Sequence, residues 1–598
     1  MRWLLAILVS LQLSAPGMEA IPTSPTQPAV GLQSSRASWS PPKSYCGYEP
    51  RGDANAREDH FRSLVRARNA ITNAQPRVTD VGDIAAIEDN GTLVIPPNKF
   101  DLAKRSLVFT PSVEGYAVAG GNLEFNADFG SRLSNFVGVD GMPGNEDDGY
   151  ERVPLQGAEF PFYGQPRDAI FVGTNGYITF EKGDTSPRPS ASALTTDSAR
   201  IAPLWADLDA SEKGSIYYTR TNDRHIITWN TVPQFGRSGT STFQVVLYDD
   251  GRIGFIYEKV KARTVLVGLS PGGFEGPFPA PFSVDFSMPS DDHFNGTFYE
   301  FFAKEKRLDV PAVLRAFYSA HGDIFDTVYI WTDFDFDNGE GFAHFFNVRN
   351  DIKGIGLPLF DRGRLYGSAA RLSSLATMGN IESDWPDDPQ ANAAGLISAV
   401  GIVCHEQGHR WLAYVHFEDG RRTRDDLLGR QNSHWSFLVD TRTNSQGSLS
   451  SLMEGNAWRD NGNGSFTTSE SAVNYFTELD QYLMGLRGAD EVSEISYLAV
   501  DDDGLTQLLR DKSPQSGITI AARKKTTSVA KIIAREGPRE PDVANSPKSF
   551  RIGFVLLSEQ GSSPSSATIA KLDRYRGALV RYFSVATGRR GSLDSSLR

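Results

Sequence analysis

A long run of closely spaced strand signals is the feature that most limits how this chain can fold. Between residues 106 and 295, aromatic and β-branched residues form short runs, among them FVGTNGYITF (171–180), RHIITWNTVP (224–233) and TFQVVLYDDGRIGFIYE (242–258). Asn-Gly and Asp-Asp-Gly lie within these runs, and both favour the tight turns of β-hairpins. The pattern predicts an all-β module of the sandwich type, in which two apolar sheet faces pack together.

At about residue 300 the pattern changes to a mixture of helices and strands. Apolar residues at helical spacing predict helices at residues 309–321, 390–416, 472–486 and 573–587. Two strands are predicted between the first two helices, at residues 326–335 and 342–350. We therefore predict a multidomain chain. Its all-β domain covers residues 106–295, and an α+β domain covers residues 300–598.

The first 20 residues, MRWLLAILVSLQLSAPGMEA, have the three parts of a secretory signal peptide. Arg2 supplies the positive charge, residues 3–13 are apolar but too short to cross a bilayer, and Ala15 and Ala20 are candidate cleavage positions. A membrane anchor or a disordered leader is the alternative. No later stretch reaches the length of a membrane span. We expect a secreted, extracellular protein without stable membrane insertion.

Residues 21–105 are predicted to be an N-terminal linker and candidate pro-region, because they begin with many Pro and Ser residues.

The charge balance excludes one class of partner. The chain of 598 residues has 60 Lys and Arg against 73 Asp and Glu, a formal net charge of −13. Nucleic-acid binding needs a basic excess, so no nucleic-acid partner is expected.

The sequence His405-Glu406-Gln407-Gly408-His409 is an HExxH motif inside a predicted helix. Residues four apart share a helix face, so His405 and His409 can bind one metal ion, for which Zn2+ is the expected choice. Glu406 lies about 100° round the helix from His405 and can take a proton from a metal-bound water. The alternative is a pair of surface histidines on an ordinary helix.

Catalytic zinc usually takes three protein ligands, and the chain offers four candidates for the third. On a continuous helix His416 would lie about 10 Å beyond His409, which is too far for one ion. Glu478 and Asp480 are two residues apart on a predicted helix, so only one of them can face the metal. His434 follows a charged loop and could fold back. Periodicity does not choose between Asp480, His434 and Glu478.

Other residues near the motif have open assignments. Tyr482 is a candidate catalytic residue that would donate to the developing oxyanion, as Tyr475 could, while ordinary packing is the alternative for both. Cys404 is expected to be a small buried hydrophobe. Cys46 could hold the enzyme latent by binding zinc, could pair with Cys404, or could do neither.

Two acidic segments make Ca2+ a second candidate ion. Carboxylates cluster in the turn GVDGMPGNEDDGY at Asp140, Glu146, Asp147 and Asp148, and in TDFDFDNGEG at Asp333, Asp335, Asp337 and Asn338. Neither segment matches the EF-hand template, so a solvated acidic loop is the alternative for each.

Several segments of the β region resemble the nidogen-like extracellular domain. They are, in order, VGTNGYITF (172–180), IAPLWADLD (201–209), IITWNTVP (226–233), FQVVLYDDGRIGFIY (243–257) and VGLSPGG (267–273). The resemblance covers residues 150–290, about a quarter of the chain. It implies an extracellular interaction module without catalysis of its own, with an extracellular-matrix or cell-surface ligand as its partner.

The C-terminal part resembles secreted bacterial HExxH zinc metallopeptidases of the zincin type. The matching segments are HEQGHRWLA (405–413), HWSF (434–437), SLMEGNAW (451–458) and LDQYLMGL (479–486). In that pattern the Asp of LDQYLMGL is the better match for the third metal ligand. The resemblance therefore ranks Asp480 first, His434 second and Glu478 third.

Together these features predict a secreted zinc-dependent endopeptidase that hydrolyses a protein or peptide substrate. His405 and His409 would hold zinc with Asp480 or His434, and Glu406 would activate the zinc-bound water. The alternative is an extracellular adhesion or matrix-interaction protein whose zincin-like domain is degenerate or structural.

Overall fold

The structure is a computed structural model of the chain. It describes residues 44–48, 58–62, 64, 75–112, 115–138, 141–155, 157, 159–273, 282–288, 293–338, 341–442, 449–469, 472–501 and 503–598. The predicted signal peptide at residues 1–20, most of residues 21–74 and Asp140 lie outside this part of the chain. Within it, no helix has both the length and the apolar character needed to cross a membrane.

Residues 98–303, bounded by a β-bridge between Asn98 and Ala303, form a unit that we call the β unit. In one of its sheets the strand order among described residues is Phe282–Ser283, Phe298–Ala303, Thr264–Ser270, Arg200–Trp205, Tyr177–Thr179, Ala169–Gly173 and Tyr150–Pro154. In the other it is His293–Phe294, Gly115–Gly121, Ser106–Ser112, Ile253–Lys259, Thr240–Tyr248, Arg224–Pro233, Ser215–Arg220 and Ser131–Arg132. A hairpin, Phe160–Phe162 with Gln165–Arg167, and the short helix Ala191–Thr196 complete the unit.

The two sheets of the β unit share one apolar core. Val172 and Ile201 from one sheet and Trp229 and Phe243 from the other are fully buried in the same cluster. Every second side chain of each strand points into this core, which is the packing of a β-sandwich. The prediction of an all-β domain is confirmed here.

The predicted Asn-Gly turn shows why glycine is needed at one of these hairpins. Gly176 joins the paired strands Ala169–Gly173 and Tyr177–Thr179 with a φ of +77°. A Cβ on Gly176 would lie 2.1 Å from the carbonyl oxygen of Leu204. Any larger residue would therefore push the neighbouring strand away.

The described residues on either side of the β unit form a second unit, which we call the mixed unit. Its main sheet has the order Ser44–Tyr48, Gly341–Asn347, Ser374–Asn380, Thr327–Thr332, Ser549–Ser558, Ile84–Glu88 and Arg77–Val81, with Ser592–Asp594 also beside Ser549–Ser558. Its helices are Val310–Ala320, Ala399–Gly408, Glu478–Leu483, Asp503–Arg510, Val529–Glu536 and Ser566–Ala586. Single 3₁₀ turns lie at Gly363–Tyr366, Arg430–Asn432 and Ala489–Glu491.

Smaller sheets extend the mixed unit. Their strands, in groups that pair, are Glu454–Asn456, Trp435–Asp440, Ile495–Ala499 and Arg523–Thr527; Leu449–Ser451 and Ala472–Tyr475; Trp458–Asp460, Ser465–Thr468 and Thr519–Ala521; Phe417–Asp419 and Arg422–Arg424; Asn392–Ala394 and Ile397–Ser398; Arg349–Asn350 and Phe360–Asp361; Val94–Ile95 and Arg307–Leu308.

Helices cover both faces of the main sheet. Val403 of Ala399–Gly408 shares a core with Phe345 on one face. Leu314 of Val310–Ala320 shares a core with Phe346 on the other face. Because successive residues of a strand point to opposite sides, Phe345 and Phe346 mark the two faces of the same strand.

The main sheet corrects the predicted boundary at residue 105. Arg77–Val81 and Ile84–Glu88 fall within the predicted linker and candidate pro-region, yet Ile84–Glu88 pairs in parallel with Ser549–Ser558. Ser44–Tyr48 also belongs to this sheet, beside Gly341–Asn347, so a removable pro-region would have to end before Ser44. The pairing partner of Ile84–Glu88 lies more than 400 residues further along the chain, so no local signal could indicate it.

The predicted helix over residues 390–416 is much shorter in the structure. Its described helical part is Ala399–Gly408, and the hydroxyl of Ser398 caps its start by accepting from the Gly401 N–H at 3.2 Å. The preceding residues form the hairpin Asn392–Ala394 with Ile397–Ser398. The predicted helix at 472–486 likewise divides into the strand Ala472–Tyr475 and the helix Glu478–Leu483.

Truncation of Ile87 tests whether this N-terminal hairpin belongs to the core. Ile87 is 1% exposed, so Ile87→Ala is expected to lower the free energy of unfolding by about 2–4 kcal/mol through lost burial and a cavity. Urea denaturation of the full chain measures it. Val81 in the neighbouring strand is 39% exposed, and the control Val81→Ala should cost about 0.5 kcal/mol or less. Equal effects of the two substitutions would contradict the placement of this hairpin.

Candidate metal centre

Three buried histidines meet at the C-terminal end of the helix Ala399–Gly408. His405 is in its last turn, His409 follows its last residue, and His434 directly precedes the strand Trp435–Asp440. One nitrogen of each ring lies within 4.8 Å of the corresponding nitrogens of the other two. The ring centroids are 4.6 Å apart for His405 and His409, 4.8 Å for His409 and His434, and 5.2 Å for His405 and His434.

Main-chain carbonyl groups orient all three rings. The Nδ1 atoms lie within hydrogen-bond distance of carbonyl oxygens: Leu452 at 2.5 Å from His405, Leu412 at 3.1 Å from His409, and Arg430 at 2.8 Å from His434. A carbonyl oxygen only accepts, so Nδ1 carries the proton in each ring. The lone pair of each imidazole is then on Nε2, as a metal ligand requires.

The surroundings keep these rings neutral. Burial lowers the pKa of His405 to about 4, and the nearby cation Arg430 also contributes. Burial lowers the pKa of His409 and His434 well below the usual value for histidine, with the neighbouring imidazoles and Arg430 acting in the same direction. Neutral imidazoles can bind a cation without first losing a proton.

The three imidazoles fit a zinc ion. Zn–N bonds of about 2.0–2.1 Å in tetrahedral geometry put the nitrogens ~3.4 Å apart, which small side-chain movements can reach from the present arrangement. Three imidazole nitrogens and one open position are a known ligand set of catalytic zinc. Glu406 is 0% exposed on the same turn as His405. A cation held by neutral imidazoles would offset the cost of burying this carboxylate.

Asp480, ranked first as third ligand, is not in this group of ligand atoms. Its carboxylate accepts hydrogen bonds from Trp435 Nε1 at 2.6 Å, Ser451 Oγ at 2.7 Å and the Thr477 N–H at 2.7 Å. Thr477 and Asp480 form a capping box at the start of the helix Glu478–Leu483. The spacing Thr-x-x-Asp is a capping-box signal that the sequence contains.

Asp480 nevertheless connects two segments that build the site. Trp435 directly follows His434, and Ser451 directly precedes Leu452, whose carbonyl accepts from His405. Burial raises the pKa of Asp480, and its hydrogen-bond donors act in the opposite direction. The carboxylate thus holds His405 and His434 in place through their neighbours.

The other predicted residues lie elsewhere. Glu478 accepts from the Ser493 N–H at 2.8 Å, and His416 lies 3.2 Å from a carboxylate oxygen of Glu536. The hydroxyl of Tyr482 accepts from the Arg539 N–H at 3.4 Å, which leaves its own proton for donation, so its role towards an oxyanion stays a prediction.

The remaining predictions near the motif concern Tyr475 and the two cysteines. Tyr475 ends the strand Ala472–Tyr475, and its phenol oxygen lies close to Gly588. Cys404 is a free, fully buried thiol. The strand Ser44–Tyr48 is described, but the side chain of Cys46 lies outside the described part of the structure.

The sequence predictions missed one ion pair beside the histidines. Arg430 Nη2 donates to Glu454 at 2.5 Å, and Glu454 is 2% exposed. Burial raises the pKa of Glu454 to about 7, and Arg430 acts in the opposite direction. The motif SLMEGNAW contains Glu454, and Glu454 has the φ of +77° that is rare outside glycine. The sequence did contain a signal for a buried charge at this position, because Glu454 precedes a glycine within an otherwise apolar segment.

The first acidic segment is partly brought together in the β unit. Oxygen atoms of Asp147, Asp148 and Asp207 lie within 4.8 Å of one another. Burial, followed by the neighbouring carboxylates, raises the pKa of Asp147 to about 6. Burial raises the pKa of Asp207 to about 6, with Asp148 adding to the effect. Glu146 pairs instead with Arg132 at 2.8 Å.

The second acidic segment does not gather around one point. Ser558 donates to Asp333, Asn380 donates to Asp335 at 2.7 Å, Arg307 donates to Asp337 at 2.8 Å, and the hydroxyl of Thr377 donates to Asn338 at 2.6 Å. Asp335 and Asn338 thus both bond to the strand Ser374–Asn380, whereas Asp333 and Asp337 bond to other elements.

Comparison with known proteins identifies part of the β unit. The family model described as "NIDO related" matches residues 130–278, inside the predicted domain, so the predicted nidogen-like extracellular domain is confirmed. Mouse alpha-tectorin is 29% identical over 140 residues, which cover 19% of this chain and 6% of that protein. Chicken alpha-tectorin is 26% identical over 155 residues, covering 21% and 7% respectively. The chain thus spans a small part of these relatives, and no solved structure matches it.

Variants of the metal centre separate ligands from supporting residues. His434→Ala is expected to abolish stable zinc binding, because only two imidazoles would remain to hold the ion. Asp480→Asn should weaken zinc binding by about 10–100-fold, since an amide cannot accept all three hydrogen bonds. Zinc content by elemental analysis and zinc affinity by competition with a chelator measure both effects. His416→Ala, the control, should bind zinc like the unchanged protein.

Zinc retained by His434→Ala but lost in Asp480→Asn, with both variants folded by circular dichroism, would contradict this assignment. It would restore Asp480 as the third ligand.

The acidic group predicts how stability depends on pH. Folded pKa values of about 6 for Asp147 and Asp207 lie above the value of about 3.9 for an unfolded Asp. The stability contributed by these protonated groups is complete below about pH 4 and is lost as the pH rises through 6. Denaturant unfolding of the full chain should therefore show a decrease in stability between about pH 4 and 6.5. Asp147→Asn should reduce this decrease, whereas the exposed control Asp250→Asn should leave it unchanged. Equal pH profiles for both variants would refute the account.

Proposed function

We propose that this protein is a secreted zinc-dependent endopeptidase that carries an extracellular NIDO-related domain. One observation carries the catalytic part of the proposal. Three neutral imidazoles, from His405, His409 and His434, converge, and the carboxylate of Glu406, which follows His405 on the helix, is fully buried. Hydrolytic zinc sites combine neutral imidazole ligands with a nearby general base in this way.

Each residue has a defined part in the proposed reaction. When bound, zinc supplies Lewis-acid chemistry that polarises a carbonyl group and acidifies water. Glu406 takes a proton from the attacking water and later returns it to the leaving amine. The carbonyl groups of Leu452 and Arg430 hold two of the imidazoles by their Nδ1 protons, so the Nε2 lone pairs keep their directions.

The proposed substrate is a protein or peptide, on the strength of the resemblance around the HExxH motif. The NIDO-related domain supports an extracellular location and an interaction with a matrix or cell-surface ligand. Ca2+ at the first acidic segment stays a prediction from the sequence; two of its residues, Asp147 and Asp148, lie with Asp207 in the structure.

A second function has its own support. In this alternative, the protein is an extracellular matrix-interaction protein and the metal centre is structural. The comparisons support it better than the peptidase, because the matching family is the NIDO-related domain and the similar proteins are alpha-tectorins. The burial of the three imidazoles and Glu406 at 0% exposure also suits a structural site, since a substrate would need an opening to reach them.

Substitution of Glu406 distinguishes the two functions. Glu406→Gln keeps the size of the side chain and removes the base, so cleavage of a protein substrate such as casein should fall by roughly 10²–10⁴-fold while zinc is retained. Fluorescent peptide release and zinc content are measured together. The matched control Glu418→Gln changes an exposed carboxylate near the motif and should cleave normally.

If the unchanged, zinc-loaded protein cleaves no protein substrate, the peptidase proposal fails. Binding to matrix preparations that persists in His434→Ala would then support the interaction function.

A further inference from the structure

The residues that follow the HExxH helix form a tight chain reversal, which we call the 409–414 turn. The helix Ala399–Gly408 ends before His409, and the Leu412 N–H donates back to the Gly408 carbonyl at 3.1 Å. The reversal brings the Leu412 carbonyl oxygen to within 3.1 Å of the Nδ1 atom of His409. The direction of the His409 imidazole therefore depends on the shape of this turn.

A buried tyrosine closes the 409–414 turn. The hydroxyl of Tyr414 donates to the main-chain carbonyl of His409 at 2.6 Å. The phenol oxygen accepts from the side-chain amide of Asn347 at 3.1 Å, and the same amide nitrogen lies 3.4 Å from the His409 carbonyl oxygen. A phenol has a single proton and a carbonyl oxygen only accepts, so the proton of Tyr414 points at His409.

Asn347 connects this turn to the main sheet. It is the last residue of the strand Gly341–Asn347, and its side chain is buried. The ring of Phe345, in the same strand, lies 5.5 Å from the ring of His409. A site supported by a strand keeps its geometry more precisely than a site held by a loop alone. Tyr414 therefore fixes the turn against a rigid element of the fold.

The 409–414 turn also contacts the segment of the third histidine. The Ala413 N–H donates to the carbonyl of Ser433 at 3.1 Å, and Ser433 directly precedes His434. A displaced turn would therefore disturb two of the three imidazoles, those of His409 and His434. The ring of His405 is oriented from a different segment, because its Nδ1 proton goes to a carbonyl outside the turn.

We propose that Tyr414 is a positioning residue of the metal centre, which sets the directions of the His409 and His434 imidazoles from outside the group of ligands. The inference rests on the proposed zinc binding at these imidazoles and deepens it. The hydroxyl of Tyr414 fixes the His409 carbonyl, and the turn passes this constraint on to the two rings. Outer groups that orient metal ligands change metal affinity by about 10–100-fold.

Removal of one hydroxyl group from the full chain tests the proposal. Tyr414→Phe keeps the aromatic ring and takes away the hydrogen bond to the His409 carbonyl. We expect zinc affinity, measured by competition with a chelator, to fall roughly tenfold or more. The visible spectrum of the cobalt-substituted protein should change as well, because it depends on the geometry of the ligands. A loss of stability alone would not move this spectrum.

A second measurement uses the metal-free protein. Nitrogen-15 NMR of the histidine side chains distinguishes imidazoles protonated on Nδ1 from those protonated on Nε2. His409 should be protonated on Nδ1 in the unchanged protein and should show a mixture of both forms in Tyr414→Phe, while His405 keeps its form. Because this measurement needs no zinc, it separates a failure of this inference from a failure of the proposed function.

Tyr257→Phe is the matched control. Tyr257 is buried in the β unit, and its hydroxyl likewise donates to a main-chain carbonyl, that of Pro203, at 2.7 Å. This variant should match the unchanged protein in zinc affinity, cobalt spectrum and His409 protonation. Asn347→Ala removes the amide that holds the phenol and should weaken zinc binding in the same direction, and it provides the test if Tyr414→Phe does not fold.

The inference is overturned if folded Tyr414→Phe binds zinc as tightly as Tyr257→Phe, or if its His409 stays protonated on Nδ1 alone. An unchanged protein that binds no zinc would refute the zinc-dependent function, and the NMR measurement would then decide the role of Tyr414 by itself.

Discussion

The hydrogen bonds from three buried imidazole Nδ1 atoms to main-chain carbonyl oxygens are the constraint on which the functional centre depends. They decide that Nε2 carries the lone pair in His405, His409 and His434, and they fix the direction of each ring. Since carbonyl oxygens belong to the backbone, the site exists only when the helix Ala399–Gly408 and the segments around Leu452 and Arg430 are folded together. Burial keeps the rings neutral, so the centre can accept a dication.

Two buried carboxylates hold these segments in position. Asp480 joins Trp435 to Ser451, and Glu454 pairs with Arg430, whose carbonyl accepts from His434. Neither carboxylate belongs to the group of converging imidazole nitrogens. The removal of one partner from the pair of Glu454 and Arg430 would leave an uncompensated buried charge, so we expect this pair to matter for the proposed metal binding as well.

Local patterns predicted the all-β domain and the helix that bears His405, which in the structure ends just before His409. They failed where distant segments meet. Ile84–Glu88 pairs with a strand near residue 550, and no local pattern shows that. Helical periodicity could not choose between Asp480 and His434 as the third candidate ligand. Asp480 is occupied in a capping box, and His434 reaches the other two histidines because the chain folds back. The end of the helix at Gly408 was missed because the apolar pattern continues beyond it.

X-ray absorption at the zinc edge on the purified full chain tests the central claim most directly. The account predicts about one zinc per chain, with the multiple-scattering pattern of three imidazoles and Zn–N distances of about 2.0–2.1 Å. It also predicts that one imidazole contribution disappears in His434→Ala. A protein that binds no zinc, or a zinc ion with two imidazoles and a carboxylate from Asp480, would contradict it.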